Sequence, residues 1–83
     1  MCNFTITFTG SAADFVNTIR NKILDAGGTF HGDETNGEFS VPTPVGKIEG
    51  NYYIHGNDVT INITKKPFLV SCDAIEEYIK NSL

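Results

Sequence analysis

The sequence is short of cationic side chains, and this shortage bears on its possible partners. Six Lys and Arg residues stand against ten Asp and Glu residues, which gives a formal net charge of −4. Lys65-Lys66 is the only adjacent basic pair. Nucleic acids and anionic membranes attract proteins mainly through clustered Lys and Arg. The composition therefore predicts that the partner is not a nucleic acid, and it disfavours docking on an anionic membrane.

Long apolar runs and clustered cysteines are also missing. Residues 1–10 alternate apolar and polar side chains, whereas a secretory signal needs a continuous apolar segment. No apolar run is long enough to cross a membrane. The two cysteines, Cys2 and Cys72, are too few for the disulfide framework of a small secreted scaffold. We therefore expect reduced thiols, no membrane span and a cytoplasmic location.

Motifs for metals and cofactors are absent from the sequence as well. His31 and His55 lack the His-x-His and His-Glu-x-x-His spacings, and no Cys-x-x-Cys occurs. Gly27-Gly28 follows a helical pattern and does not open one, so it does not match a phosphate-binding loop. The sequence predicts neither a metal site nor a bound cofactor.

The sequence does contain a clear succession of strand and helix patterns. Alternation of apolar and polar residues predicts strands at 3–9, 29–31, 38–41, 47–55 and 59–64. Apolar residues at helical spacing predict a helix over 12–26, which Ser11 caps and Gly27-Gly28 ends. A second helix follows, capped by Ser71 or by Asp73, and its apolar face extends to Leu83.

Two short segments predict changes of chain direction. Asn36-Gly37 is typical of a hairpin turn. Pro42 and Pro44 lack an amide hydrogen, so residues 41–45 are expected to form a bend or a bulged edge. The predicted order is β-α-β-β-β(-β)-α, depending on whether the region around these prolines merges two strands.

Each predicted strand has one apolar face, and each predicted helix has one apolar stripe. The strand sets are Phe4/Ile6/Phe8, Ile48/Tyr52/Ile54 and Val59/Ile61/Ile63. A chain of 83 residues can bury all of these surfaces only in two layers. We therefore predict a single α+β domain over 1–83, a two-layer sandwich with both helices on one face of a mainly antiparallel sheet.

The opposite face of the sheet is predicted to be polar and wet. An open polar face could bind a ligand or an extended peptide, and the candidates there are Tyr53, His31, His55 and Asn51. The alternative is a solvated face whose threonines reflect strand propensity alone. We favour this alternative, because the face has few aromatic side chains and little positive charge.

Cys72 is the candidate for catalysis. Its predicted place at the start of a helix would lower the pKa of a thiol, although Asp73 and Glu76 oppose a thiolate. Nothing in the sequence places His31 or His55 beside it as a base. A small buried apolar role is therefore the favoured interpretation of Cys72.

Two connecting segments are the remaining candidates for binding. Residues 43–50 are the best place to look for a binding rim, because loops carry function more often than core residues do. Phe68, Leu69 and Val70 precede the second helix. They are expected to face the core and not to form a docking patch.

The C-terminal half resembles a known family. The pattern Gly-x-x-x-Ile-x-Gly-Asn-x-Val-x-Ile-x-Ile at Gly50–Ile63 and the helix with Ile-Glu-Glu at Ile75–Glu77 resemble polyhydroxyalkanoic acid system proteins. The resemblance covers roughly residues 45–83. It implies an α+β fold and at most an association with storage granules or apolar surfaces, and it supplies no catalytic residues.

Three hypotheses for function follow. The leading one is a non-catalytic binding or interaction module that uses either the Thr-rich sheet face or the mouth between helices and sheet. The second is a thiol-dependent enzyme or redox protein centred on Cys72. The third is a structural subunit of a homo-oligomer that pairs through sheet edges.

Overall fold

The computed structural model describes residues 2–81, which form five strands and two helices. These elements are β1 (Cys2–Thr7), α1 (Ala12–Asp25), β2 (Thr29–Gly32), β3 (Asn36–Thr43), β4 (Gly46–His55), β5 (Asp58–Lys65) and α2 (Cys72–Asn81). The order β-α-β-β-β-β-α is the longer of the two predicted orders. Leu83, which the predicted second helix included, lies outside the described residues.

The strands form one antiparallel sheet in the order β1-β5-β4-β3-β2. Side chains of α1 and α2 pack with one face of this sheet into a single hydrophobic core. Val59 and Ile63 of β5 are its most completely buried large side chains. This arrangement confirms the predicted α+β sandwich.

The pleat of the sheet follows the predicted parity. Phe4 pairs with Ile61, and Ile61 pairs with Tyr52, so all three lie on the face that the helices cover. Thr5 and Thr60 pair on the opposite face and are linked by their hydroxyl groups, 3.3 Å apart. The alternation in the sequence therefore predicted which side of each long strand is buried.

The connection between β2 and β3 differs from the prediction. Asn36-Gly37 does not form the turn but begins β3, where Gly37 lies opposite Gly32. The Asp33 carboxylate closes the turn earlier, by accepting hydrogen bonds from the Thr35 and Asn36 amides at 2.8 and 3.1 Å. A carboxylate that bonds backbone amides two residues ahead mimics a backbone turn. The hydrogen bonds to the Asp33 carboxylate, and not the glycine at position 37, therefore determine where the turn forms.

The two prolines are accommodated without breaking β3. Pro42 lies within the strand, and Pro44 follows in the turn to β4. β2 begins at Thr29, opposite Ser40, so Pro42 lies beyond it and has only β4 as a paired neighbour, which is the edge setting that tolerates proline. The bulge lies elsewhere, where the register against β5 shifts between Glu49 and Gly50.

The ends of α1 follow the predicted signals. The Ser11 hydroxyl accepts a hydrogen bond from the Asp14 amide at 3.1 Å and so caps the helix. Gly27 has a φ of +84°, which allows the chain to leave the helix. A Cβ on Gly28 would lie 2.2 Å from the Ser40 carbonyl oxygen, so only glycine lets this end pack directly on β3.

A disulfide joins Cys2 in β1 to Cys72, the first residue of α2, across a sequence separation of 70 residues. The two Cα atoms are 5.7 Å apart, a normal separation for such a bond. The expectation of two reduced thiols is therefore wrong for this structure. Neither helix within residues 2–81 is long and apolar enough to cross a membrane.

Candidate functional site

The two helices cover different parts of the sheet. α1 contacts β2 and β3, whereas α2 contacts β1 at the opposite edge. Near the end of α2, Lys80 lines a shallow depression with Asp14 and Thr18 of α1. The central strands therefore lie beneath a cleft that has one helix on each side.

The cleft contains an apolar cavity of about 100 Å³. Its floor includes Phe39, Tyr52 and Ile61, and its walls include Ile19 and Ile23 of α1 and Ile75 of α2. No polar or charged residue within the described part of the chain is buried. The cavity can therefore stabilise an apolar group by removing it from water, and it offers little for chemistry on such a group.

Tyr52 closes the cleft on the side of β2 and β3. Its hydroxyl donates a hydrogen bond to the Asp33 carbonyl oxygen at 2.7 Å, and its ring stacks on Phe30 at a centroid distance of 5.7 Å. The Arg20 guanidinium lies 5.3 Å from the centroid of the Phe30 ring. Burial, with a smaller effect of the Asp33 charge, raises the pKa of the Tyr52 phenol above its ordinary value of 10.0. The phenol therefore stays neutral and serves as a fixed wall.

Two paired glycines make room for Tyr52. A Cβ on Gly32 would lie 2.6 Å from the Tyr52 hydroxyl oxygen, and one on Gly37 would lie 2.6 Å from the Tyr52 ring. The two glycines lie opposite each other in β2 and β3. Without side chains at these two positions, the phenol can lie across both strands.

Lys22 is the one charged residue that lines the cavity in the described chain. It lies in the last turn of α1, on the same side of the helix as Ile19 and Ile23, and its side chain is exposed. It forms no salt bridge within residues 2–81. An ammonium group is thus available at the rim of an otherwise apolar site.

The opposite face of the sheet brings together two of the predicted ligand-binding residues. His31, Glu38 and Asn51 lie side by side across β2, β3 and β4, and they line a polar depression of about 260 Å³. Asn51 also accepts a hydrogen bond from the Asn62 amide group at 3.2 Å. The depression is an open, shallow feature of the strand surface.

The other two predicted residues lie further along β4. Tyr53 is 50% exposed and pairs with Thr60, beyond the residues that line the polar depression. His55 lies at the end of β4 opposite Asp58. The structure therefore places all four candidates on one face but does not gather them into one site.

Cys72 has no histidine beside it. It begins α2 on the helix side of the sheet, whereas His31 and His55 lie on the other side. Its sulfur is bonded to Cys2, so it offers no thiolate in this state. No group of three or more His, Cys, Asp and Glu residues within 2–81 is arranged to hold a metal ion.

The structure contradicts the prediction for Phe68 and Leu69 in the segment before α2. Phe68 is 90% exposed and Leu69 is 71% exposed, so the expectation that they face the core is wrong. Val70 alone packs against the core. The turn closed by the Val70 amide and the Pro67 carbonyl, 3.0 Å apart, directs the two intervening side chains outward. The sequence signal that could have indicated this exposed surface is the pair of apolar residues, Phe68 and Leu69, directly after Pro67.

No protein-family model, curated protein or solved structure matches the chain significantly. The resemblance of residues 45–83 to polyhydroxyalkanoic acid system proteins therefore stays a prediction.

Proposed function

We propose that the chain is a non-catalytic binding module that holds a small apolar ligand in the cleft between α1, α2 and the sheet. The observation that carries this proposal is the apolar cavity of about 100 Å³ over the central strands. Concave apolar sites with a few polar groups are typical of small-molecule binding. The polar depression on the other face is less suitable, because water competes well for its hydrogen-bonding groups.

The size of the cavity limits the ligand. Sites for drug-sized molecules enclose about 300–1,000 Å³, whereas an apolar cavity of about 150 Å³ binds benzene. A cleft of about 100 Å³ that opens to solvent suits a single ring or a short branched chain. The ligand, or the part of it that the protein encloses, is therefore small.

Lys22 favours a ligand with a negative charge at one end. Its ammonium group lies at the rim of the cavity and has no carboxylate partner within residues 2–81. A carboxylate attached to an enclosed ring could form an ion pair there without leaving water. Such exposed pairs are weak, so Lys22 would select among ligands and not supply most of the affinity.

Titration of isotope-labelled protein with benzene and with benzoate, followed by NMR, tests this proposal. We expect saturable shifts of the Val59, Ile61 and Ile75 methyl signals with both compounds. Val41→Phe places a ring in the cavity and should abolish these shifts. Thr60→Phe adds the same ring on the opposite face and should leave binding unchanged.

A second variant separates the roles of the cavity and the rim. Lys22→Gln should weaken benzoate binding about threefold and leave benzene binding unchanged, because it removes only an exposed ion pair. Equal binding by the parent protein and Val41→Phe, or no saturable shift with either compound, would refute the proposal.

The cytoplasmic location stays a prediction. Disulfides persist mainly in oxidising compartments, so the redox state of Cys2 and Cys72 in the cell tests this location. Alkylation of thiols in freshly lysed cells distinguishes an oxidising compartment from the cytoplasm. Full protection of both cysteines supports an oxidising compartment, whereas full labelling supports the cytoplasm.

A further inference from the structure

Two turns lie side by side at one end of the sheet. One joins β3 to β4 and contains Val45, and the other is the turn from Pro67 to Val70. The turns are in contact, since a Cβ on Gly46 would lie 3.1 Å from the Pro67 ring. We call the exposed tips of these turns, Val45, Phe68 and Leu69, the apolar turn pair.

The apolar turn pair has no role in the core that explains its composition. Phe68, Leu69 and Val45 are 90%, 71% and 52% exposed. Turns are normally built from Gly, Pro, Asn, Asp and Ser, which tolerate both water and the required backbone angles. Neighbouring exposed apolar residues on a soluble surface mark a site of interaction with another apolar phase or partner.

Lysines flank the apolar turn pair. Residues 43–49 and 65–71 contain Lys47, Lys65 and Lys66 against the single acid Glu49, a net charge of +2, so the rest of the chain carries −6. The Lys65 ammonium lies 4.0 Å from the Glu49 carboxylate, and the Lys66 ammonium bonds to the Val70 carbonyl at 2.7 Å. These two segments are therefore locally basic, and the next acidic residue along the chain is Asp73 in the first turn of α2.

We infer that the apolar turn pair docks on an anionic lipid surface. Phe68 and Leu69 would enter the boundary between headgroups and acyl chains, while the lysines remain at the level of the headgroups. The three apolar side chains are exposed and lie within turns. Exposed apolar side chains can enter a soft lipid layer directly. A protein partner would need a matching pocket for each of them.

Sedimentation of the protein with lipid vesicles tests this inference. We expect binding to vesicles that contain about one quarter phosphatidylserine in phosphatidylcholine, weaker binding to pure phosphatidylcholine, and loss of binding as salt is added. Phe68→Ser combined with Leu69→Ser should weaken binding about tenfold or more, since both apolar anchors are lost. Lys65→Gln combined with Lys66→Gln should abolish the preference for phosphatidylserine.

Tyr53→Ser is the matched control, because it removes an exposed aromatic side chain on the sheet face away from the turns. It should bind vesicles like the parent protein. A parent protein that stays in the supernatant, or equal losses for Tyr53→Ser and the Phe68/Leu69 variant, would overturn the inference. Binding to polyglutamate without binding to vesicles would also overturn it and would assign the surface to an acidic protein. These outcomes do not depend on whether benzene enters the cleft.

Discussion

The Tyr52 hydroxyl group donates a hydrogen bond to the Asp33 carbonyl oxygen, 2.7 Å away. This bond ties the central strand β4 to the turn between β2 and β3, and it fixes the phenol as a wall of the apolar cleft. The same turn is held by the Asp33 side chain. Local turn chemistry and the shape of the candidate site are therefore linked through these two residues.

Tyr52→Phe removes the hydrogen bond and the titrating group together. At neutral pH we expect the free energy of unfolding to fall by about 1 kcal/mol, the usual net value of one such bond. Because the folded-state pKa of Tyr52 is raised above 10.0, its contribution is fully present below pH 10 and is lost as the pH rises through the folded value. Urea unfolding at neutral and alkaline pH checks both effects. A variant as sensitive to alkali as the parent protein would contradict this assignment.

Gly37→Ala should disrupt the contact between β2 and β3. Its Cβ would meet the Gly32 Cα at 2.7 Å as well as the Tyr52 ring, so a side-chain rotation alone cannot relieve the overlap. We expect a loss of roughly 1–3 kcal/mol in the free energy of unfolding, as for other overpacked sites. Gly56→Asn is the control, because no atom lies within 4 Å of a Cβ there and asparagine tolerates its positive φ. Equal unfolding midpoints for the two variants would show that the glycine pair is not required.

Asp33 should make the fold sensitive to acid. Hydrogen bonds from the Thr35 hydroxyl and the Thr35 and Asn36 amides lower the pKa of Asp33 from 3.8 to about 2. Because the folded-state pKa is depressed, its contribution is present above pH 3.8 and is lost as the pH falls from about 4 to about 2. Asp33→Asn keeps an oxygen acceptor but does not titrate there, so its stability should change less over this range. Unfolding midpoints that fall equally steeply with acid in both proteins would exclude this role.

The disulfide should contribute a large share of the stability. It closes a loop with a sequence separation of 70 residues, and native disulfides in small domains contribute about 2–4 kcal/mol. The double variant Cys2→Ala, Cys72→Ala should unfold at a lower temperature than the oxidised parent. A dithiol reductant should lower the melting temperature of the parent and leave that of the variant unchanged. A parent protein that does not respond to the reductant would contradict the prediction.

The alternation of apolar residues was sufficient to predict the sheet and its buried face. Val59, Ile61 and Ile63 alternate without interruption, and all three are buried in β5. The ends of α1 were also predictable, because the Ser11 cap and the Gly27-Gly28 pair each act within one helical turn.

Features that depend on distant parts of the chain could not be predicted in this way. The Cys2–Cys72 bond forms because β1 lies beside β5 and the connector after β5 returns α2 to the start of β1. The exposure of Phe68 depends on the direction of a single turn. The mouth between helices and sheet was one of the two predicted binding places, but the residues that line it follow from two helices that pack at opposite edges of the sheet, and no residue pattern along the chain encodes that gap.

The most direct test of the apolar cleft is a set of intermolecular nuclear Overhauser effects from bound benzene. We expect benzene to bind in the cleft, with contacts to the methyl groups of Ile61 on the floor and Ile75 on the wall of the cavity. Contacts only to Phe68 and Leu69, or no contact to any side chain, would contradict it.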